Sequence, residues 1–170
     1  MPRYVALLRG VSPQNCSMPA LRRSLEAAGF ARVRTVLSSG NAVFDADEAP
    51  EAVLAQRVEA AQQAGLGRRF ATIVRSVDAL QALLAGDPFA PFGFPPQAKR
   101  VVSFLRAPRA SRVPLPLTRG CATVACQVGA EAFTAYLPGE GPVFMQLIEQ
   151  AFGVDVTTRT WDTVRKCAQA

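Results

Sequence analysis

Six residues carry side-chain types that could hold an anion: Arg9, Gly10, Ser39, Gly40, Asn41 and Arg159. An arginine guanidinium presents five N–H donors in a planar fork that matches phosphate or carboxylate. A neighbouring glycine lets backbone approach a ligand closely, and serine and asparagine add short donors and acceptors. Arg9-Gly10 ends the apolar run Tyr4-Val-Ala-Leu-Leu8, and Ser39-Gly40-Asn41 breaks the run from Leu37 to Phe44. Arg159 stands just before Thr160, which is suited to cap a helix, and Trp161, suited to anchor the chain by burying its indole. Each has a plainer reading in local structure. Arg9 would then bond turn carbonyls, and Asn41 would serve a left-handed turn.

Several other chemistries lack their parts. The chain has no histidine, which removes histidine zinc sites, Ser-His-Asp and Cys-His catalysis and the usual proton shuttle near neutral pH. Its four cysteines, Cys16, Cys121, Cys126 and Cys167, form no C-x-x-C pair. Cys121 and Cys126, five apart in or beside a strand, point to opposite faces and read as small core residues. No metal site and no cofactor are expected. Ser39 or Cys16 as a nucleophile needs an activating base that the sequence does not supply. The glycine spacing fits neither a phosphate loop nor a dinucleotide fingerprint.

The bulk properties set the frame. Of 170 residues, 49% are apolar, enough for a sizeable core. The net charge is +6, carried by 17 Arg and 2 Lys, a mild and spread-out excess that favours an anionic partner. A GC-rich genome also enriches Arg, Ala, Gly and Pro, so the charge has a second explanation. No apolar run approaches the roughly 20 residues of a membrane span. The first residues lack the zones of a signal peptide, and free thiols suit a reducing compartment, so a cytoplasmic protein is expected. The oligomeric state stays open.

The candidate residues need elements to position them. Residues 3–9 read as a strand, and Ser17 as the cap of a helix that has Leu21, Leu25 and Ala28 on one face and stops at Gly29. Val33–Leu37 and Ala42–Phe44 read as strands joined through the Ser-Ser-Gly-Asn turn. A helix from about Glu51 to Ala64, ended by Gly65 and Gly67, leads to a strand at Phe70–Arg75. The order β-α-β-β-α-β is that of a ferredoxin-like domain, in which the first and third strands are antiparallel neighbours. That pairing predicts Arg9-Gly10 and Ser39-Gly40-Asn41 at one sheet end, beside a helix N-terminus that favours an anion.

Ser76 caps a further helix to about Leu84. Residues 86–97 form a Pro- and Phe-rich linker whose phenylalanines are suited to plug a surface between domains. Beyond it the sequence predicts a strand at Arg100–Leu105, then a Pro-rich connection at Arg106–Arg119 with room for a short helix. A hairpin at Ala122–Val128 and Ala132–Leu137 and a helix at Val143–Phe152 follow. A short edge strand at Val154–Val156 and a last helix at Thr160–Cys167 close the chain. The expected organisation is two α/β domains with antiparallel sheets, residues 1–85 and 98–170.

The segments Tyr4–Gly10, Val33–Phe44, Pro88-Phe89 and Thr158–Val164 resemble the bacterial family catalogued as domain of unknown function 1697, over about Tyr4 to Ala168. The resemblance implies two ferredoxin-like (α/β plait) domains and no established activity. Such proteins usually continue the first strand with Ile-Asn-Val-Gly-Gly and a Lys before the helix. Here Val11-Ser-Pro-Gln-Asn-Cys-Ser17 is shorter and lacks those glycines and the Lys, and Thr160 replaces an Asn before the Trp.

The function expected is a binding module for an anionic small ligand or nucleic acid at the Arg9 and Ser-Gly-Asn sheet end. Nucleic acid is the weaker partner, because the central strands lack paired aromatics for stacking bases. One alternative is an enzyme without histidine catalysis that acts on a phosphate- or carboxylate-bearing substrate. The other is a protein that assembles through a sheet edge.

Overall fold

The alternation in β1 (Arg3–Leu8) organises the first half of the chain: Tyr4, Ala6 and Leu8 face one side and Val5 and Leu7 the other, all buried. Strands with apolar residues on both faces belong at the centre of a sheet covered on both sides. β1 pairs antiparallel with β3 (Asn41–Asp45) and β4 (Thr72–Ser76), and β2 (Ala31–Thr35) pairs with β3, giving the order β2-β3-β1-β4. The computed structural model describes residues 1–139 and 141–170, which divide into two units, Met1–Leu84 with Arg165–Ala170, and Ala85–Val164. Among the described residues there are two antiparallel sheets, of four and five strands, and five α-helices. The chain is a mixed α/β protein of the ferredoxin-like kind.

In the first unit α1 (Met18–Ala27) and α2 (Glu51–Leu66) cover one sheet face with Leu21, Leu25, Leu54 and Val58, against Tyr4, Phe44 and Val74. The Ser17 hydroxyl accepts from Ala20 N at 3.2 Å and satisfies one of the open N–H groups of α1. Gly67, at φ 72°, ends α2 in the left-handed conformation that glycine adopts without strain. Gly65, read from sequence as part of that stop, lies inside the helix. A Cβ there would sit 2.2 Å from Ser24 Oγ and 2.7 Å from Ser24 Cβ, so the glycine is what lets α1 and α2 approach. Ser24 Oγ donates to Ala20 O at 2.8 Å.

Gln62, fully buried, ties α2 to β4. Its Nε2 donates to Thr72 Oγ1 at 2.8 Å, and its Oε1 accepts from Phe70 N at 2.6 Å. Ser76 Oγ then accepts from Ala79 N at 3.1 Å at the start of α3 (Val77–Gly86).

In the second unit, β5 (Lys99–Leu105), β6 (Leu117–Arg119), β7 (Ala122–Val128), β8 (Glu131–Tyr136) and β9 (Val156–Thr160) take the order β6-β7-β8-β5-β9. The part β7-β8-β5-β9 repeats the arrangement β2-β3-β1-β4, with α4 (Val143–Phe152) before the last strand. Where the first unit has α1, the second has the irregular segment 106–116. The short helix expected there does not form. Pro108, Pro114 and Pro116 remove N–H donors and restrict the residues before them, so no helical turn can propagate. Leu147, Ile148, Ala151 and Phe152 of α4 pack on Val101, Leu105 and Val124. Phe89 is buried edge-on between Phe133 and Trp161, with ring centroids at 5.5 and 5.1 Å, so this part of the Pro-rich stretch enters the second unit's own core.

Candidate functional site

The register places Arg9-Gly10 beside Ser39-Gly40-Asn41. Leu7 lies opposite Asn41, and Leu8 N donates to Gly40 O at 2.8 Å. Most polar groups at this end are committed to one another. Asn41 is fully buried, and its Nδ2 donates to Val36 O at 2.9 Å and Ser39 Oγ at 3.0 Å, which locks the turn. Gly40, at φ 90°, serves an internal approach: a Cβ would lie 2.9 Å from the Val11 Cβ and 3.1 Å from the Leu8 Cβ. Asn15 knits the loop after β1, accepting from Ser12 N at 2.9 Å and donating to Gly10 O at 2.8 Å. Asn15 N and Cys16 N both donate to Ser12 O at 3.1 Å. Three loop N–H groups that could have cradled an anion are therefore engaged within the loop. Arg9 is exposed, and its backbone N–H donates to Ala71 O at 2.9 Å.

The other end of β1 is different. Its first residue, Arg3, sits opposite Asp45 in the ladder, and Asp45 also faces Ala31 of the edge strand β2. The β2–β3 register shifts between Ala31 and Arg34, and Arg32 takes φ 46°, a conformation uncommon outside glycine. Such a bulge re-aims a side chain, and here it carries the Arg32 guanidinium to the Asp45 carboxylate, with Nε on Oδ2 and Nη2 3.3 Å from Oδ1. Arg3 Nη1 reaches Asp45 Oδ1 at 2.7 Å, and Arg3 Nε donates to Ala170 O at 2.9 Å. The hydrogen bond from Arg32, aided by the one from Arg3 and by the charges of both, holds the Asp45 carboxyl below the ordinary carboxylate range, against the opposing effect of burial.

One carboxylate thus serves two guanidinium groups, and two more stand beside them. Arg3, Arg22, Arg32 and Arg34 line a concavity of about 580 Å³ with Val33 and Ala170. Arg22 pairs with Glu26 one helical turn away, at 2.6 Å and largely exposed, and such pairs hold weakly. Arg34 forms no side-chain hydrogen bond or ion pair among the described residues. The Arg32 side chain is 71% exposed against 10% for Asp45, so an anion arriving from solvent meets the cation and not the carboxylate. The same charges and bulge also blunt an edge strand against pairing. None of these four arginines belongs to the segments that the sequence singles out as a site. The signal that could have found them is Arg32-Val-Arg34, an exposed-buried-exposed alternation with two cations on one edge.

Arg159, Thr160 and Trp161 belong to the second unit. Arg159 stands just before the Thr160 cap, as expected, but within β9, opposite Val102, because the Val-Thr-Thr-Arg-Thr run is rich in β-branched residues and extends the strand past Val156 to Thr160. Its Nη1 donates to Thr158 O at 3.0 Å. Thr160 Oγ1 accepts from Thr163 N at 3.1 Å at the start of α5 (Trp161–Gln169), and Trp161 packs on Phe89 and Phe133.

Cys121 is exposed, contrary to its reading as a core residue, since the Gly120-Cys121 turn between β6 and β7 lifts it off the sheet. Cys16 is buried and Cys126 partly so, and burial raises both thiols above their usual pKa, with Arg68 offsetting this in part at Cys16. A raised pKa lowers the thiolate fraction and with it nucleophilicity. Among the described residues no three metal-ligating side chains cluster, and no helix is long and apolar enough to cross a membrane.

Comparison with known proteins agrees with the architecture. The solved structure of the conserved bacterial protein SP0830 from Streptococcus pneumoniae superposes with a TM-score of 0.71 at 19% identity, covering 99% of this chain and 97% of that one, and so shares the fold. No curated protein matches the chain. The family model described as "Protein of unknown function (DUF1697)" matches residues 1–119, and the chain belongs to that family.

Proposed function

We propose that the protein is a non-catalytic binding module for a small phosphate- or carboxylate-bearing ligand, with its site at the arginine corner of β1 and β2. The observation that carries this reading is the imbalance around one concavity: Arg3, Arg22, Arg32 and Arg34 line it, and Asp45 is shared by two of them. Four guanidinium groups around one shared carboxylate leave net positive charge at the concavity, which favours an anion. At the Arg9 end the buried amide of Asn41 and the loop N–H groups have internal partners, which supports a structural role for Gly10, Ser39, Gly40 and Asn41. Nucleic acid is the weaker partner, because β1 from Tyr4 to Leu8 and the whole of β3 are buried and leave no central ring for a base.

Calorimetric titration with orthophosphate and citrate at low and high salt tests the reading. Binding is expected at low salt and weakens as salt rises. Arg34→Ala is expected to weaken it about tenfold, the size of one lost charge-assisted contact, while Arg9→Ala leaves it unchanged. Loss of binding in Arg9→Ala with retention in Arg34→Ala would return the site to the opposite sheet end.

A further inference from the structure

We propose that the ligand of this corner is an oligophosphate chain lying along β2. The proposal rests on the reading of the corner as an anion site and adds to it the class of ligand. Beside the concavity of about 580 Å³ is a second of about 410 Å³, and Arg34 and Ala170 line both. The second runs from the end of β2 at Arg34 and Thr35 past Val36 and Leu37, with Lys166 and Gln169 also lining it. Cationic groups therefore stand at the first cavity, at the Arg34 that lines both and at the second. A strand rises about 3.3 Å per residue, so Arg32 to Thr35 at the end of β2 spans roughly 10 Å, and the second cavity extends beyond it. An orthophosphate ion meets the cations of one cavity at a time, whereas a chain of three phosphates held by Arg34 reaches into both.

The lining narrows the class. No aromatic side chain is among the residues lining either cavity, so a nucleobase finds no stacking surface and the phosphates carry the contact. An acidic peptide would bind an edge strand by extending its ladder. The ladder of β2 is interrupted by the bulge at Arg32, whose carbonyl accepts from Arg3 Nη1 at 3.3 Å. A phosphate chain needs no ladder, only donors at intervals, and the fork of each guanidinium binds two oxygens at once.

The test is a calorimetric series at low salt with orthophosphate, pyrophosphate, tripolyphosphate, ATP and hexaglutamate, on the wild-type chain and on Arg34→Ala and Lys166→Ala. Both substituted side chains are exposed, so the fold is expected to persist, and a melting curve checks it. Affinity is expected to rise from orthophosphate to tripolyphosphate by about tenfold or more, one further charge-assisted contact. Lys166→Ala is expected to remove that gain and leave orthophosphate binding intact, and Arg34→Ala to weaken every phosphate. ATP equal to tripolyphosphate supports a site for the phosphate chain alone, and ATP tighter than it supports a nucleotide as the source. Orthophosphate and tripolyphosphate bound equally would overturn the chain proposal and leave the anion site standing. Hexaglutamate matching tripolyphosphate, or a chain-length gain that survives Lys166→Ala, would also overturn it. Binding of none of the anions sinks both readings.

Discussion

The two ends of β1 have similar residues and opposite economies of hydrogen bonding. At one end an arginine, two glycines, a serine and an asparagine converge, and the asparagine amide, the glycine carbonyls and the loop N–H groups find partners among themselves. At the other end four arginines converge on one concavity and share a single buried carboxylate between two of them. The difference teaches that a conspicuous polar motif does not by itself mark a site. A turn whose amide and loop N–H groups are mostly partnered internally has few donors left to offer, whereas a cluster of guanidinium groups around one shared carboxylate keeps donors in excess.

Substitutions at the two ends should separate these roles. The largest effect is expected from Gly40→Ala, which puts a side chain at φ 90° against Val11 and Leu8. It should destabilise the protein by about 3 kcal/mol, near 10 °C in melting temperature, without changing anion affinity at the arginine corner. Asn41→Ala removes the donor to Val36 O and Ser39 Oγ in a buried turn and should cost about 2 kcal/mol by urea denaturation, again with binding unchanged. If either variant folds normally yet loses the ligand, the roles of the two ends are exchanged.

Asp45→Asn probes the opposite end and should move two quantities in opposite directions. Removing the carboxylate releases Arg3 and Arg32 and is expected to tighten anion binding while lowering stability at neutral pH. The sign of the pH dependence follows from the depressed carboxyl. Its stabilisation is complete above the ordinary Asp value of about 3.9 and is lost as pH falls through the lower folded value. The stability gap between wild type and Asp45→Asn should therefore close only below about pH 4 in a pH series of urea midpoints. The smallest effect is expected at Arg9→Ala, within about 0.5 kcal/mol in stability, as for surface substitutions generally.

The sequence made the local rules legible and the long-range ones not. The Ser17 and Ser76 caps, the helix at Val143–Phe152 and the first unit's strand order follow from capping chemistry and hydrophobic period. The second strand was expected at Val33–Leu37 and forms at Ala31–Thr35, because Ala31 pairs with Asp45 across a bulge at Arg32 that no local rule marks. Gly65 looked like a helix stop because its reason for being there, Ser24, lies 41 positions earlier on another helix. The arginine corner was hidden for the same cause. Residues 3, 22, 32 and 34 meet only once the sheet and α1 are assembled, and the Arg32-Val-Arg34 alternation marks only two of them.

The contact of Gly65 with Ser24 reaches further than the packing of two helices. Because a Cβ at position 65 would strike Ser24, the bare glycine sets how closely α1 seats on α2, and Arg22, two residues before Ser24, is carried on the same helix. That glycine thus works as a stop on a dial whose pointer is a guanidinium lining the arginine concavity. A side chain added at position 65 would turn the pointer, so a change with no part in the cavity would be read there as altered ligand affinity.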